Sequence, residues 1–298
     1  MKKIALIGNY PPRKCGIATF THDLNEGLKA AGVLMVVIAI NDGIARYDYP
    51  DDVGLQIEQN EIASYINAAY YLNTNEFDAI ILQHEFGIFG GPDGQHVIQL
   101  LRRLRIPVIT TFHTILDDPS DSMKENLCTV ARYSERVVSI SKKGINILTD
   151  EYGIPAEKCL HIHHGVHRID CRDVSHIRRK NGFDGKKVLL TFGLLSHNKS
   201  IEVVIKALPK VIESHPEVVY LVLGATHPHV VRHEGEEYRY SLIRLVKQLE
   251  LEKHVIFMDR FVSNEELFTY LSMCDIYVIP YRAEKQISSG TLIYTMGA

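Results

Sequence analysis

Pro280-Tyr281-Arg282-Ala283-Glu284-Lys285-Gln286-Ile287-Ser288-Ser289-Gly290-Thr291-Leu292-Ile293-Tyr294 follows the apolar run Ile276-Tyr277-Val278-Ile279 and leads into a segment that reads as a helix from Gly290. A strand, a loop of small polar residues and a helix leave backbone N–H groups free at the positive end of the helix dipole. A phosphate binds well there. The stretch therefore reads as a cradle for a diphosphate. A plain strand-to-helix turn with a Ser/Thr cap is the alternative at this point.

The same strand–loop–helix unit recurs upstream. Ile4–Ile7 is a continuous apolar run, as suits a strand buried on both faces. An amphipathic helix follows, with Ile17, Phe20, Leu24, Leu28 and Ala31 on one face, and Gly32 ends it. Strands are expected at 33–40, 78–83, 107–112, 136–140 and 159–163, and helices at 62–72, 95–104, 119–134 and 142–151. Residues 41–60 read as an acidic, irregular surface excursion. Glycines and mixed charge over 165–186 break the rhythm and mark a linker. The alternation then restarts with strands at 187–192, 218–223, 255–258 and 275–280. Helices are expected at 200–214, 237–249 and after Ser263, where Glu266 completes a capping box. The pattern predicts an α/β protein with two Rossmann-like, doubly wound parallel-sheet domains, 1–170 and 171–298. The second domain reads as truncated, about two turns into its last helix.

The 298 residues carry 33 basic and 36 acidic side chains, a net charge of -3, and nothing in that balance calls for nucleic acid. No apolar run reaches the ~20 residues of a membrane span, although a peripheral membrane contact stays compatible with the sequence. The Met1–Gly8 apolar stretch is too short for a signal peptide and reads as a first strand. Five cysteines without CxxC spacing fit reduced thiols in a cytoplasm.

In open parallel sheets ligands bind beyond the carboxyl ends of the strands. Gly16, closing the loop after the first strand, allows close backbone approach to an anion or a sugar. No GxGxxG follows Gly8, which leaves a dinucleotide site weakly supported. His84 and Glu85 follow one strand and His113 the next, so titratable groups of two neighbouring strand ends can converge; loop capping is the alternative for each. In the second domain Lys199 lies between strand and helix, where it can reach a phosphate or stand in solvent. The clusters His161, His163, His164, His167 and His227, His229, His233 lack a completing carboxylate or cysteine, and no metal is expected.

Taken together, Tyr10-Pro11-Pro12 leading to Gly16, Thr111-Phe112-His113, His164-Gly165-Val166, Phe192-Gly193 with Lys199, Val222-Leu223-Gly224 and the Asp275–Tyr281 run before Ser-Gly-Thr resemble the group 1 (family 4) retaining glycosyltransferases. That resemblance covers nearly the whole chain. It implies a GT-B fold of two domains facing a cleft, a nucleotide-sugar donor on the second domain, and a carbohydrate or other hydroxyl acceptor on the first. Gly16 would touch the donor phosphate or the acceptor, and His84 and Glu85 would lie on the acceptor side. His113 would contact the transferred sugar. Gly193, Lys199 and the amides of Ser289, Gly290 and Thr291 would hold the diphosphate, with Arg260 and its neighbours facing the base. His113 and Lys199 would be the catalytic pair. The nucleotide sugar is a substrate, so no cofactor or metal is implied. Two positions depart from the family. Leu194 stands where an arginine commonly follows the glycine, which removes one positive charge from the diphosphate. Gln286 and Tyr294 stand at the two glutamate positions, and a tyrosine offers the ribose one hydroxyl instead of a carboxylate. A glycoside phosphorylase using phosphate or sugar 1-phosphate, and a non-catalytic sugar-binding homologue, are the alternatives these departures suggest.

Overall fold

The computed structural model describes residues 1–43, 46–169, 174–282 and 289–297. Among them the chain forms two compact units, one running from Met1 to His164 and the other starting at Gly165. The division falls at the front of the glycine- and charge-rich segment.

In the first unit the elements run β1 (Lys3–Gly8), α1 (Gly16–Ala30), β2 (Leu34–Asn41), β3 (Val53–Glu58), α2 (Ile62–Thr74), β4 (Ala79–His84), α3 (Val97–Leu101), β5 (Val108–Phe112), α4 (Asp121–Tyr133), β6 (Arg136–Ser139), α5 (Lys142–Asp150) and β7 (Cys159–His161). The strands make one parallel sheet in the order β3-β2-β1-β4-β5-β6-β7. The chain winds outward from β1 to β3, returns to lay β4 beside β1, and winds outward again. Parallel neighbours need crossover connections, and here those connections carry the helices of the unit. Ala5, Leu6, Ile7, Ile38, Ile40, Ile57, Leu72, Ile80 and Phe112 are fully buried in this unit. Removing each large aliphatic side chain from water contributes about 1.5–3 kcal/mol.

The second unit contains α6 (Val174–Lys180), β8 (Lys187–Phe192), α7 (Ile201–Ser214), β9 (Val218–Leu223), α8 (Pro228–Glu234), α9 (Glu237–Gln248), β10 (Val255–Met258), α10 (Asn264–Met273), β11 (Ile276–Tyr277) and α11 (Gly290–Thr295). Its parallel sheet has the order β10-β9-β8-β11. Every residue of β9 is buried, as its unbroken apolar run requires. The direction of winding reverses between β8 and β11, so the loops after these two strands flank the crevice where such sheets bind ligands.

Several expectations need correction. The 41–60 excursion contains β3, which extends the sheet beside β2, with Leu55 opposite Ile38 and Ile57 opposite Ile40. The helix expected at 95–104 contracts to α3 because i→i+3 bonds, such as Ile98 N to Gln95 O and Leu104 N to Leu101 O, tighten both of its ends. The linker holds α6, and the stretch containing His227, His229 and His233, expected as a loop between strand 218–223 and helix 237–249, holds α8. The last strand pairs only at Ile276 and Tyr277. The capping box at α10 is half formed. The Ser263 hydroxyl accepts from Glu266 N at 3.2 Å, while the Glu266 carboxylate turns to the guanidinium of Arg260.

Candidate functional site

The end of β8 sets the geometry of the second unit's site. Gly193 has φ +126°, a conformation open to glycine alone. A side chain there would also be crowded: a Cβ would stand 3.3 Å from Thr291 Cγ2 and 3.9 Å from both Lys199 Nζ and the Tyr281 hydroxyl. Residues from β8, from the turn before α7 and from the segment around α11 therefore converge on one small volume beside Gly193.

Each member is held from behind. Lys199 closes a 3-10 turn in which Lys199 N bonds Ser196 O at 2.9 Å and Ser200 N bonds His197 O at 3.1 Å. Ser200 takes the left-handed conformation, φ 49°, so that α7 can start at once. The Lys199 ammonium lies 3.8 Å above the centre of the Tyr281 ring, a cation–π contact that keeps it over the site instead of in bulk solvent. The Tyr281 hydroxyl donates to Phe192 O at 3.2 Å and pairs with Thr291 Oγ1 at 3.1 Å. Thr291 Oγ1 also meets Ser289 Oγ at 3.0 Å, and Ser289 caps α11 by accepting from Leu292 N. The amides of Gly290 and Thr291 have no acceptor among the described residues. One ammonium and two first-turn amides suit an anion with several oxygens.

Two sequence-predicted members are placed elsewhere. Arg260 is clasped by both oxygens of Glu266 and approaches the Tyr270 hydroxyl at 3.4 Å, so its guanidinium is committed within the protein. The Tyr294 ring packs against His167, Phe268 and Phe192, with centroids 5.2, 6.2 and 6.2 Å away, as part of an apolar layer. Leu194, at the commonly arginine position, is half-buried, and Gln286 lies outside the described residues.

The first unit gathers a second polar cluster where β1, β4 and β5 end. Gly16 opens α1, and a Cβ on it would meet nothing within 4 Å. Cys15 caps the helix, its Sγ accepting from Ala18 N at 3.3 Å and from Asn9 Nδ2 at 3.2 Å. His113 Nε2 lies 2.7 Å from Gln83 Oε1, which can only accept, so the ring proton sits on Nε2 and Nδ1 carries a lone pair. Phe20 meets His113 edge-on at 4.7 Å and His164 at 5.0 Å. Surrounding protein, then the neighbouring His164 and His84, push the His113 pKa down to about 3, so the imidazole is neutral at any physiological pH.

His84 and Glu85, both expected to face an acceptor, differ in placement. His84 has no exposed surface and packs among Phe86, Phe89 and Phe112. Neither ring nitrogen has a partner among the described residues, and burial pushes its pKa down to about 3. The ring is therefore a core group. Glu85 is half-buried, with Oε2 receiving the Thr114 hydroxyl at 2.6 Å and Oε1 the Phe86 amide at 3.1 Å. Burial raises its pKa, and the two hydrogen bonds oppose that rise.

Sequence reasoning missed Tyr281, Gln83 and the covering role of Phe20. Tyr281 was visible as the aromatic after Pro280. Gln83 read as the end of a strand and Phe20 as a core position of a helix. His161 and His163 lie ring to ring at 4.4 Å, yet among the described residues no group of three or more His, Cys, Asp or Glu is placed to hold a metal. The described cysteines, Cys15, Cys128, Cys159 and Cys274, are free thiols. No helix among the described residues is long and apolar enough to cross a membrane.

Comparison with known proteins agrees with this architecture. The family model described as Glycosyltransferase Family 4 matches residues 15–168, and that described as Glycosyl transferases group 1 matches residues 173–286. An uncharacterized glycosyltransferase of Methanocaldococcus jannaschii is 25% identical, over 93% of this chain and 74% of that protein. The alpha-monoglucosyldiacylglycerol synthase of Streptococcus pneumoniae is 24% identical, over 97% of this chain and 69% of that protein. Among solved structures, Anabaena HepE in complex with UDP and glucose superposes with a TM-score of 0.70 at 18% identity, over 96% of this chain and 76% of that one. Sucrose-phosphate synthase from Thermosynechococcus elongatus gives 0.71 at 17% identity, over 96% and 77%. These likenesses establish the GT-B type of fold. With one family model spanning just over half of its length and a second spanning most of the remainder, the chain belongs to the group 1, family 4 glycosyltransferases.

Proposed function

We propose that the protein is a retaining glycosyltransferase that moves a sugar from a nucleotide-sugar donor to a hydroxyl of a carbohydrate or similar acceptor. The observation that carries this is the convergence of Lys199, Thr291 and the backbone of Gly193 on one volume at the reversal point of the second sheet. The bond from the sugar's anomeric carbon to the diphosphate breaks and negative charge grows on the departing oxygen. Lys199 and the amides of Gly290 and Thr291 stabilise that charge without a metal. The acceptor oxygen bonds to the anomeric carbon on the same face, and its proton passes to a phosphate oxygen of the leaving group. In the first unit, neutral His113 offers Nδ1 to a sugar hydroxyl, and Gly16 leaves open space for a ligand beside the start of α1.

Calorimetry with UDP, GDP and ADP tests the donor site. One of them is expected to bind the parent chain, and Lys199→Ala to weaken that binding; no binding of any would overturn the proposal. Proton NMR of the first-formed product tests retention, and an inverted anomer would overturn that part. A second reading has its own support. Tyr294 is packed into an apolar layer, so this position gives no carboxylate grip on a ribose. A phosphorylase using phosphate or sugar 1-phosphate has no ribose to hold. Release of sugar 1-phosphate from an oligosaccharide on addition of inorganic phosphate would select that reading. Free thiols in all four described cysteines support a reducing, cytoplasmic setting.

A further inference from the structure

Tyr238 and Arg239 are adjacent on α9, and both are buried, 4% and 3% exposed. Successive helix residues point about 100° apart, so the pair reaches two places at once. Tyr238 reaches the start of α7. Its hydroxyl accepts from Ile201 N at 3.2 Å and donates to Glu202 Oε2 at 3.0 Å. Its ring lies 4.5 Å from that of His197, which in turn holds Glu234 through Nε2 at 2.8 Å. His197 and Ile201 bracket the turn that presents Lys199, so α9 and the end of α8 hold that turn at both ends.

Arg239 reaches the ends of β9 and β10. Its Nη2 donates to Gly224 O at 3.0 Å and pairs with Asp259 Oδ1 at 2.6 Å. Its Nε approaches Glu236 Oε2 at 3.2 Å and Thr226 Oγ1 at 3.3 Å. The segment it fixes supports Gly193: Gly193 N bonds Leu223 O, Leu195 N bonds Ala225 O, and His227 N bonds Leu195 O, at 3.0, 2.9 and 2.9 Å. Gly224 touches Gly193 so closely that a Cβ on it would fall 2.0 Å from Gly193 O. A buried apolar residue would fill the Arg239 volume equally well. Only a fork of fixed donors sets several acceptors in one geometry.

We propose that Tyr238 and Arg239 are positioning residues for the anion site, Tyr238 fixing the Lys199 turn and Arg239 fixing the strand end on which Gly193 rests. The inference rests on the donor-site reading above. Neither residue touches the ligand; each sets where a ligating group stands, so its loss weakens the grip on the diphosphate specifically.

The test is calorimetry on the full chain with UDP, GDP and ADP, using whichever the parent binds, together with the matching nucleoside. Tyr238→Phe keeps the ring on His197 and removes only the hydroxyl. It is expected to weaken diphosphate binding about fivefold to tenfold, leave nucleoside binding unchanged, and leave the unfolding midpoint within a few degrees. Arg239→Lys keeps the charge but loses the fork, and is expected to behave alike. Against a Lys199→Ala background, Tyr238→Phe should have no further effect, because it acts through that ammonium. Equal diphosphate affinity in parent and Tyr238→Phe, or full additivity of Tyr238→Phe with Lys199→Ala, overturns the inference. If Arg239→Lys does not fold, the isosteric tyrosine variant decides alone. Absence of nucleotide binding in the parent overturns the donor reading and this inference with it, whereas parent binding unchanged in both variants overturns only this inference.

Discussion

His84→Leu isolates what one buried histidine does to the first unit. The His84 imidazole is fully buried among Phe86, Phe89 and Phe112, neither nitrogen has a partner among the described residues, and its pKa falls from the ordinary 6.5 to about 3. The folded ring thus refuses a proton that the unfolded chain accepts. The folded-state pKa is depressed, so stability is fully present above pH 6.5 and is lost as pH falls toward 3. With that direction and the ordinary value, the loss is roughly 1 kcal/mol at pH 5.5 and roughly 2–3 kcal/mol at pH 4.5. His84→Leu removes this contribution, so its stability should decline less steeply by roughly 1 kcal/mol per pH unit across that window. At pH 7.5 the variant should match or exceed the parent. Relief of two unpaired polar atoms is worth about 1–3 kcal/mol, against an imperfect fit of up to about 1.5 kcal/mol. The chain has no tryptophan, so the assay is urea unfolding followed by circular dichroism, with hydrogen exchange of the β4 and β5 amides reporting the first unit. Parallel pH profiles for parent and variant between pH 4.5 and 6.5 would refute the reasoning.

Other predictions concern the second unit. Lys199→Ala should weaken nucleoside diphosphate binding by roughly 10- to 100-fold, the worth of one charge-assisted contact, as read by calorimetry. Tyr281→Phe keeps the ring under the ammonium but removes the donor to Phe192 O and leaves Thr291 Oγ1 paired with Ser289 Oγ; a loss of about threefold to tenfold in the same affinity is expected, with an unchanged circular dichroism spectrum. Gly224→Ala places a methyl 2.0 Å from Gly193 O at φ +145° and should cost about 3 kcal/mol or more, seen as a fall in the unfolding midpoint.

The strands were legible wherever both faces are covered. Ile4–Ile7 and Val218–Leu223 are unbroken apolar runs because helices flank the sheet on each side. β3 escaped because it is an edge strand: its Val53, Leu55 and Ile57 alternate with polar residues inside an acidic segment, and among these three only Ile57 is fully buried. α8 was hidden by its histidines, which carry no apolar periodicity. At the site, Gly193, Lys199 and Thr291 stood out because each lies in a strand-to-helix loop or in the first turn of the helix that follows it. Tyr238 and Arg239 could not be found that way. They lie inside a helix, where a tyrosine reads as core and an arginine as solvent-facing, and only tertiary contacts show the arginine turned inward. His84 misled for the opposite reason, since a titratable group at a strand end looks exposed in one dimension.

The contact of Gly193 with Gly224 fixes the spacing of two neighbouring strand termini by main-chain atoms alone. Repacking of apolar side chains elsewhere in the unit can shift a helix or fill a gap, yet the backbone contact leaves these termini no room to move closer. The platform beside Gly193 thus draws its spacing from peptide groups in direct contact, and the Arg239 fork reaches into that joint at the Gly224 carbonyl.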